Sequence, residues 1–310
     1  MSGSTPLRRP STYGTGDHLT LRAVTEFVVD AIPVSLYVSD YAPVGPADGP
    51  PVLLLHGLLT SGQAWKSVIP SLPGSRRVIV PDLRGHGRSA AASNDVCLDE
   101  LTDDLFRVLD ALDVPRATLV GLSLGGLVCL CAAVRHPQRV AALALVATPA
   151  SPETVESGAR RLATLEAMDR LGKRPVLRGM ASWLFGGTTR RHSPEVVEAW
   201  LESLDSADPI AIRRTAQAAL RRSDARPWLG RVHVPALVVA GAEDAVVSAE
   251  DVAALAGGLP LGQLCELPDA GHLVPLERPE ALGLALEGWI AAADGRSSPD
   301  AGGADARTSA

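Results

Sequence analysis

Val120-Gly121-Leu122-Ser123-Leu124-Gly125-Gly126 decides how this chain reads. It joins residues 117–121, an apolar run of strand length, to residues 124–136, an apolar run of helix length. A serine lodged in so sharp a strand-to-helix turn crowds the residues two before and two after it. Only small side chains relieve that crowding, and both positions are glycine, Gly121 and Gly125. Such a turn lifts the Ser123 hydroxyl clear of a sheet and sets it beside a helix N-terminus. The partial positive charge there favours developing negative charge. Ser123 is the candidate nucleophile.

Outward from this turn, short apolar runs alternate with longer amphipathic ones. Residues 22–29 and 34–41 read as an opening pair of strands joined at residues 30–33. Residues 52–55 and 77–80 are largely apolar, as strands buried on both faces should be. Between them, residues 62–72 are expected to form a helix stopped by Pro73 and Gly74. Leu101, Leu105, Val108, Leu109 and Leu112 make a helical stripe in residues 99–112, and residues 140–147 read as a further strand. From Pro149 to about Gly230 helical stretches such as 155–171 and 194–204 take over. Alternation then resumes with strands at 236–240 and 263–267 and helices at 248–256 and 279–292. This pattern implies an α/β fold, a mostly parallel central sheet with helices on both faces, interrupted by a helical cap insertion. The expected organisation is a flexible N-terminal segment (1–20), a core (21–148 and 231–293), a helical cap (149–230) and a disordered tail (294–310).

Composition narrows the function classes. The formal net charge is −6, so no basic field invites nucleic acid or anionic lipid, and a small-molecule partner is expected. Residues 1–16 lack the apolar core of a signal peptide, and the longest apolar stretch, 124–134, is too short to span a bilayer. A cytoplasmic location is the expectation. Cys97, Cys129, Cys131 and Cys265 show no C-x-x-C spacing, and no two histidines sit three or four residues apart beside carboxylates. Reduced cysteines, no metal site and no organic cofactor are therefore expected. No interface stripe stands out to fix an oligomeric state.

The turn around Ser123 resembles that of the α/β-hydrolase fold family, serine hydrolase branch, and the resemblance extends from about Val24 to Ala292. A second shared mark is a strand ending in His-Gly, here Leu53-Leu54-Leu55-His56-Gly57-Leu58. The resemblance implies an oxyanion hole made by the backbone N–H groups of Leu58 and Leu124. A third mark, Asp82-Leu83-Arg84-Gly85-His86-Gly87-Arg88-Ser89, resembles a structural loop of the family, so His86 and Ser89 are read as a hydrogen-bonded turn rather than a second Ser–His pair.

The acid should follow a late strand, and residues 237–241 run into Ala242-Glu243-Asp244. By residue type either carboxylate can serve; the family's G-x-x-D pattern selects Asp244. The base should lie near the C-terminus, where Ala270-Gly271-His272 matches the family's final Gly-His. Of seven histidines, His272 alone combines a preceding glycine, a preceding strand and the chain order Ser–Asp–His that this fold requires. The implied chemistry is attack by Ser123 on a carbonyl carbon with His272 as base and Asp244 fixing its tautomer.

Trp183, Phe185, Trp200 and Trp228 fall in the insertion, half of the chain's eight Trp and Phe residues. Trp183 and Phe185 are candidates for an apolar pocket wall over Ser123, with packing of the insertion's helices as the other reading. Arginine pairs at 160/161, 190/191, 213/214 and 221/222 offer either a receptor for a substrate carboxylate or a solvated face. The overall layout is similar to the enol-lactonase and small-ester hydrolase branch, through residues 121–126, His136-Pro137-Gln138-Arg139-Val140 and a short helical cap. The expected function is hydrolysis of a small ester or lactone. Two other readings stand beside it: carbon–carbon bond hydrolysis or cofactor-free perhydrolase/haloperoxidase chemistry on the same triad, and a ligand-binding receptor or scaffold with little turnover.

Overall fold

The computed structural model describes residues 9–11, 22–30 and 34–295. Among the described residues, nine strands form one sheet: β1 (Arg9–Ser11), β2 (Val24–Val29), β3 (Leu36–Tyr41), β4 (Val52–Leu55), β5 (Val78–Pro81), β6 (Ala117–Leu122), β7 (Val140–Val146), β8 (Ala236–Gly241) and β9 (Gly262–Leu267). Their order is β1-β2-β3-β5-β4-β6-β7-β8-β9. The first strands pair antiparallel, and from β5 to β9 every pairing is parallel. Parallel neighbours need long crossover connections, and the helices carried in most of those connections supply both covering layers.

The helices are α1 (Leu98–Ala111), α2 (Leu124–Arg135), α3 (Val155–Leu171), α4 (Lys173–Leu184), α5 (Gly187–His192), α6 (Pro194–Ser203), α7 (Pro209–Leu220), α8 (Ala249–Gly258), α9 (Val274–Glu277) and α10 (Pro279–Ala293). Side chains of β4 alternate between two cores. Leu53 and Leu55 join α1, α2 and α8, while Val52 and Leu54 join α10 on the other face. Helices α3 to α7 all lie in the chain between β7 and β8, and their apolar residues Leu165, Leu177, Met180 and Trp200 continue the second core. The insertion therefore packs onto the sheet through a shared apolar core.

Two segments differ from expectation. Residues 62–72 form two short 3-10 turns, Gly62–Trp65 and Ile69–Ser71, instead of one helix. Pro70 is the reason: inside a helix it lacks the required N–H and its ring clashes with the preceding turn. Within the segment read as flexible, Arg9–Ser11 pairs antiparallel with β2. It covers backbone groups that β2 would otherwise leave open, and Pro10 is tolerated because this is the sheet's edge. The rest of that segment, the turn at 31–33 and the tail from 296 onward lie outside the described residues.

Candidate active site

Ser123, Asp244 and His272 each follow the C-terminal end of a parallel strand, β6, β8 and β9. Ser123 follows β6 with φ 51° and ψ −109°, a left-handed conformation that costs a non-glycine residue on the order of 1–3 kcal/mol. Its amide donates to Val146 O at 2.8 Å, and its carbonyl accepts from Leu127 N at 3.0 Å. Close packing explains the flanking glycines. A Cβ at Gly121 would lie 2.4 Å from Gly125 C, and one at Gly125 would lie 2.5 Å from Leu55 O and 2.6 Å from His56 O. The serine turn is thus pressed backbone-to-backbone against the turn after β4.

Three chain segments then converge. His272 Nε2 lies 2.9 Å from Ser123 Oγ, and His272 Nδ1 lies 3.0 Å from Asp244 Oδ2. Asp244 follows β8, and its other oxygen accepts from the amides of Val246 at 2.7 Å and Val247 at 3.1 Å. Burial pushes the Asp244 carboxyl up, but the His272 ring and these two amides outweigh that and hold it below the usual carboxylate range. Glu243, the other carboxylate the sequence offered, turns away and accepts from Thr188 N at 2.8 Å and from Thr188 Oγ1. The geometry separates two neighbours that residue type alone did not.

The turn after β4 holds the Leu58 amide in a fixed plane. Leu58 N–H belongs to the same peptide unit as Gly57 C=O. That carbonyl accepts from Thr60 Oγ1 at 2.8 Å and from His56 Nδ1 at 2.8 Å. Leu83 N donates to His56 Nε2 at 2.9 Å, so the ring carries its proton on Nδ1. Burial drives the His56 pKa down to about 4, which keeps the ring neutral. His86, ring centroid 5.3 Å from His56, is pushed down to about 3 by burial and then by that neighbour. Ser89 Oγ donates to Asp82 O at 2.7 Å and accepts from Tyr37 N at 2.8 Å, so the loop from Asp82 to Ser89 is a hydrogen-bonded brace. Leu124 opens α2, where first-turn amides have no partner within the helix.

The insertion grips the loop that carries His272 and the turn that carries Leu58. Leu184 O accepts from His272 N at 3.0 Å. Glu277 lies buried beside the His272 loop and accepts from Gly186 N at 2.8 Å, Thr189 Oγ1 at 2.8 Å and Leu273 N at 3.1 Å. Burial raises its pKa, and these donors offset the rise only in part. Trp200 Nε1 donates to Leu59 O at 2.8 Å, which ties α6 to the turn carrying Leu58. The sequence marked Trp200 only as one of the aromatics in the insertion and gave Glu277 no role. Their partners are 91 and 141 residues away, beyond the reach of local pattern.

Phe185 is 2% exposed and meets Trp200 edge-on at 5.4 Å, directly behind the His272 loop. Trp183 stands elsewhere. The inward stripe of α4 is Leu177, Met180, Ala181 and Leu184, and Trp183 falls at its margin. It lines an open groove between α3 and α4 to which none of Ser123, Asp244 and His272 contributes. Most of the paired arginines are engaged with acids or carbonyls: Arg161 and Arg222 with Glu153, Arg213 with Asp169, Arg214 with Ala92 O, Arg221 with Asp95. Among the described residues, no group of three or more His, Cys, Asp or Glu is placed to hold a metal ion, and no helix is long and apolar enough to cross a membrane.

A family model described as the alpha/beta hydrolase fold matches residues 50–279, and the chain belongs to that family. It is similar to 3-oxoadipate enol-lactonase 2 of Acinetobacter baylyi, 30% identical over 80% of this chain and 91% of that protein. It is also 35% identical to the dihydrolipoyllysine-residue acetyltransferase component of an acetoin cleaving system from Pseudomonas putida. That match covers 76% of this chain, which spans only 62% of the relative's length. Among solved structures, a thermophilic esterase from Thermogutta terrifontis shares 32% identity with a TM-score of 0.78, over 88% of this chain and 99% of that one. The chain is a hydrolase.

Proposed function

We propose that this hydrolase cleaves a small carboxylic ester or lactone through an acyl-enzyme on Ser123. The observation that carries the reading is the unbroken hydrogen-bond chain from Ser123 Oγ through the His272 ring to Asp244, at 2.9 and 3.0 Å. A free hydroxyl is too weak a nucleophile at neutral pH. His272 Nε2 takes the Ser123 proton as Oγ attacks the carbonyl carbon, and Asp244 stabilises the imidazolium that results. The carbonyl oxygen, now anionic, points at the Leu58 and Leu124 amides. Each such donor lowers the barrier by roughly 3–4 kcal/mol. When the tetrahedral intermediate collapses, His272 returns the proton to the leaving oxygen; in a lactone that hydroxyl stays on the acyl chain. Water, deprotonated by His272, then attacks the acyl-enzyme and releases the carboxylic acid with Ser123 restored. The names of the similar enol-lactonase and esterase support this substrate class.

A fluorophosphonate label followed by a panel of short-chain p-nitrophenyl esters and enol-lactones tests the reading. Labelling at Ser123 with rapid turnover of either class is expected. Labelling with no turnover of esters or lactones would move the activity to another bond, and a wild-type protein that takes no label would end the serine mechanism.

A further inference from the structure

We propose that a cavity on the outer flank of α2, away from Ser123, is a binding site for an amphipathic carboxylate, an apolar chain or ring ending in a carboxylate group. The cavity measures about 710 Å³ and is walled by α2, the start of α1, the end of α7 and the connection that leads from α7 to β8. That volume suits a small organic ligand. No triad residue lines it. Its relation to Ser123 is through α2 alone, since Leu127 lies one helical turn further on and forms part of the wall.

The chemistry of the walls selects the ligand. Leu127, Leu130 and Val134 give an apolar floor. Arg135, Arg221 and Arg222 also reach the cavity, but acids already hold them: Asp99 and Asp103, Asp95, and Glu153 respectively. Arg231 differs. Among the described residues it forms no ion pair, and its guanidinium lies over the Trp228 ring at 5.1 Å. An aromatic face attracts a cation without neutralising it, so a full positive charge remains at the rim for an anion. A second, independent feature lies deeper. Gln217 is only 8% exposed, lines the cavity, and its side-chain amide makes no hydrogen bond among the described residues. That amide is not sealed from solvent, so a ligand oxygen entering the cavity would take the place of water on it. A cation at the rim, an amide donor open to the cavity and an apolar floor together describe a carboxylate with a hydrophobic body.

Trp228 is 48% exposed beside the site and reports occupancy by its fluorescence. The full-length protein would be titrated with octanoate as probe and octanol as the uncharged control, and Trp228→Phe would assign the signal. A saturable change in wild type that is absent in Trp228→Phe is expected, with octanoate binding more tightly than octanol. Arg231→Gln should weaken octanoate about tenfold, the value of one charge-assisted hydrogen bond, and leave octanol unchanged. Val134→Trp should fill the floor and abolish both, with circular dichroism checking its fold; if it misfolds, the exposed Arg231→Gln decides. No saturable signal, equal affinity for the two probes, or an Arg231→Gln variant that binds octanoate like wild type would each overturn the proposal.

Discussion

Glu277 Oε2 accepts the amide of Gly186 at 2.8 Å, so the segment carrying the candidate base and the segment leaving α4 share one buried carboxylate. Its other oxygen takes the Leu273 amide, next to His272. Both oxygens therefore face backbone N–H groups, and an amide NH₂ in place of one oxygen cannot accept the N–H it meets. Glu277→Gln is expected to destabilise the fold by about 2 kcal/mol, one lost hydrogen bond to a buried charge. Because the loop that aims the imidazole is what loosens, kcat should fall while KM stays near wild type. Steady-state kinetics beside a denaturation curve checks this; lost stability with unchanged kcat would reduce Glu277 to a purely structural residue.

Asp244 and Glu243 are adjacent in sequence and differ in what they hold. Asp244→Asn keeps the shape but favours the wrong imidazole tautomer, and kcat should drop by about 10⁴-fold. Glu243→Gln disturbs only the grip on Thr188 and should cost less than about tenfold, in keeping with a group outside the proton path. Comparable losses in the two variants would contradict the assignment of the acid.

The buried histidines make a pH prediction. His56 and His86 have folded pKa values of about 4 and about 3, below the unfolded value of about 6.5. Below that value the unfolded chain binds protons that the folded protein refuses. Their contribution to stability is therefore full above about pH 6.5 and is lost as pH falls through the window towards 4 and then 3, by about 2 kcal/mol per group at pH 5. Denaturant titrations at neutral and mildly acidic pH should show this loss, and His86→Gln should make it shallower. Parallel pH dependence in variant and wild type would show that His86 carries none of it.

Gly125 has no room for a methyl group. With Leu55 O and His56 O at 2.5 and 2.6 Å from the missing Cβ, and both of them backbone atoms, the clash cannot be relieved by a rotamer. Gly125→Ala should destabilise by about 3 kcal/mol, the upper range for overpacking, and should lower activity by pushing the Ser123 and Leu58 turns apart. A variant with wild-type melting temperature and kcat would show that the two turns have room to separate without cost.

What was legible in the sequence follows from how local each signal is. The strand–Gly-x-Ser-x-Gly–helix turn is short-range chemistry, and β4 and α3 lie at the residues their patterns imply because apolar runs and a helical period are local properties. Pro70 was equally local, and weighing it against the apolar period of residues 62–72 would have replaced one helix with two turns. Strand β1 is three residues of no strand character, ordered by the open edge of β2. Glu277, Thr188 and Trp200 act through partners far along the chain, so pattern has no purchase on them. The choice between Asp244 and Glu243 came from a family pattern, and only tertiary geometry supplies its physical cause.

The most direct test of the serine mechanism is the turnover of Ser123→Ala on whichever ester or lactone the wild-type enzyme cleaves fastest. The proposed roles of Ser123, His272 and Asp244 as nucleophile, base and acid acting as one unit predict a loss of roughly 10⁶-fold in kcat with the fold intact. A purified variant that keeps a tenth of wild-type turnover would contradict it.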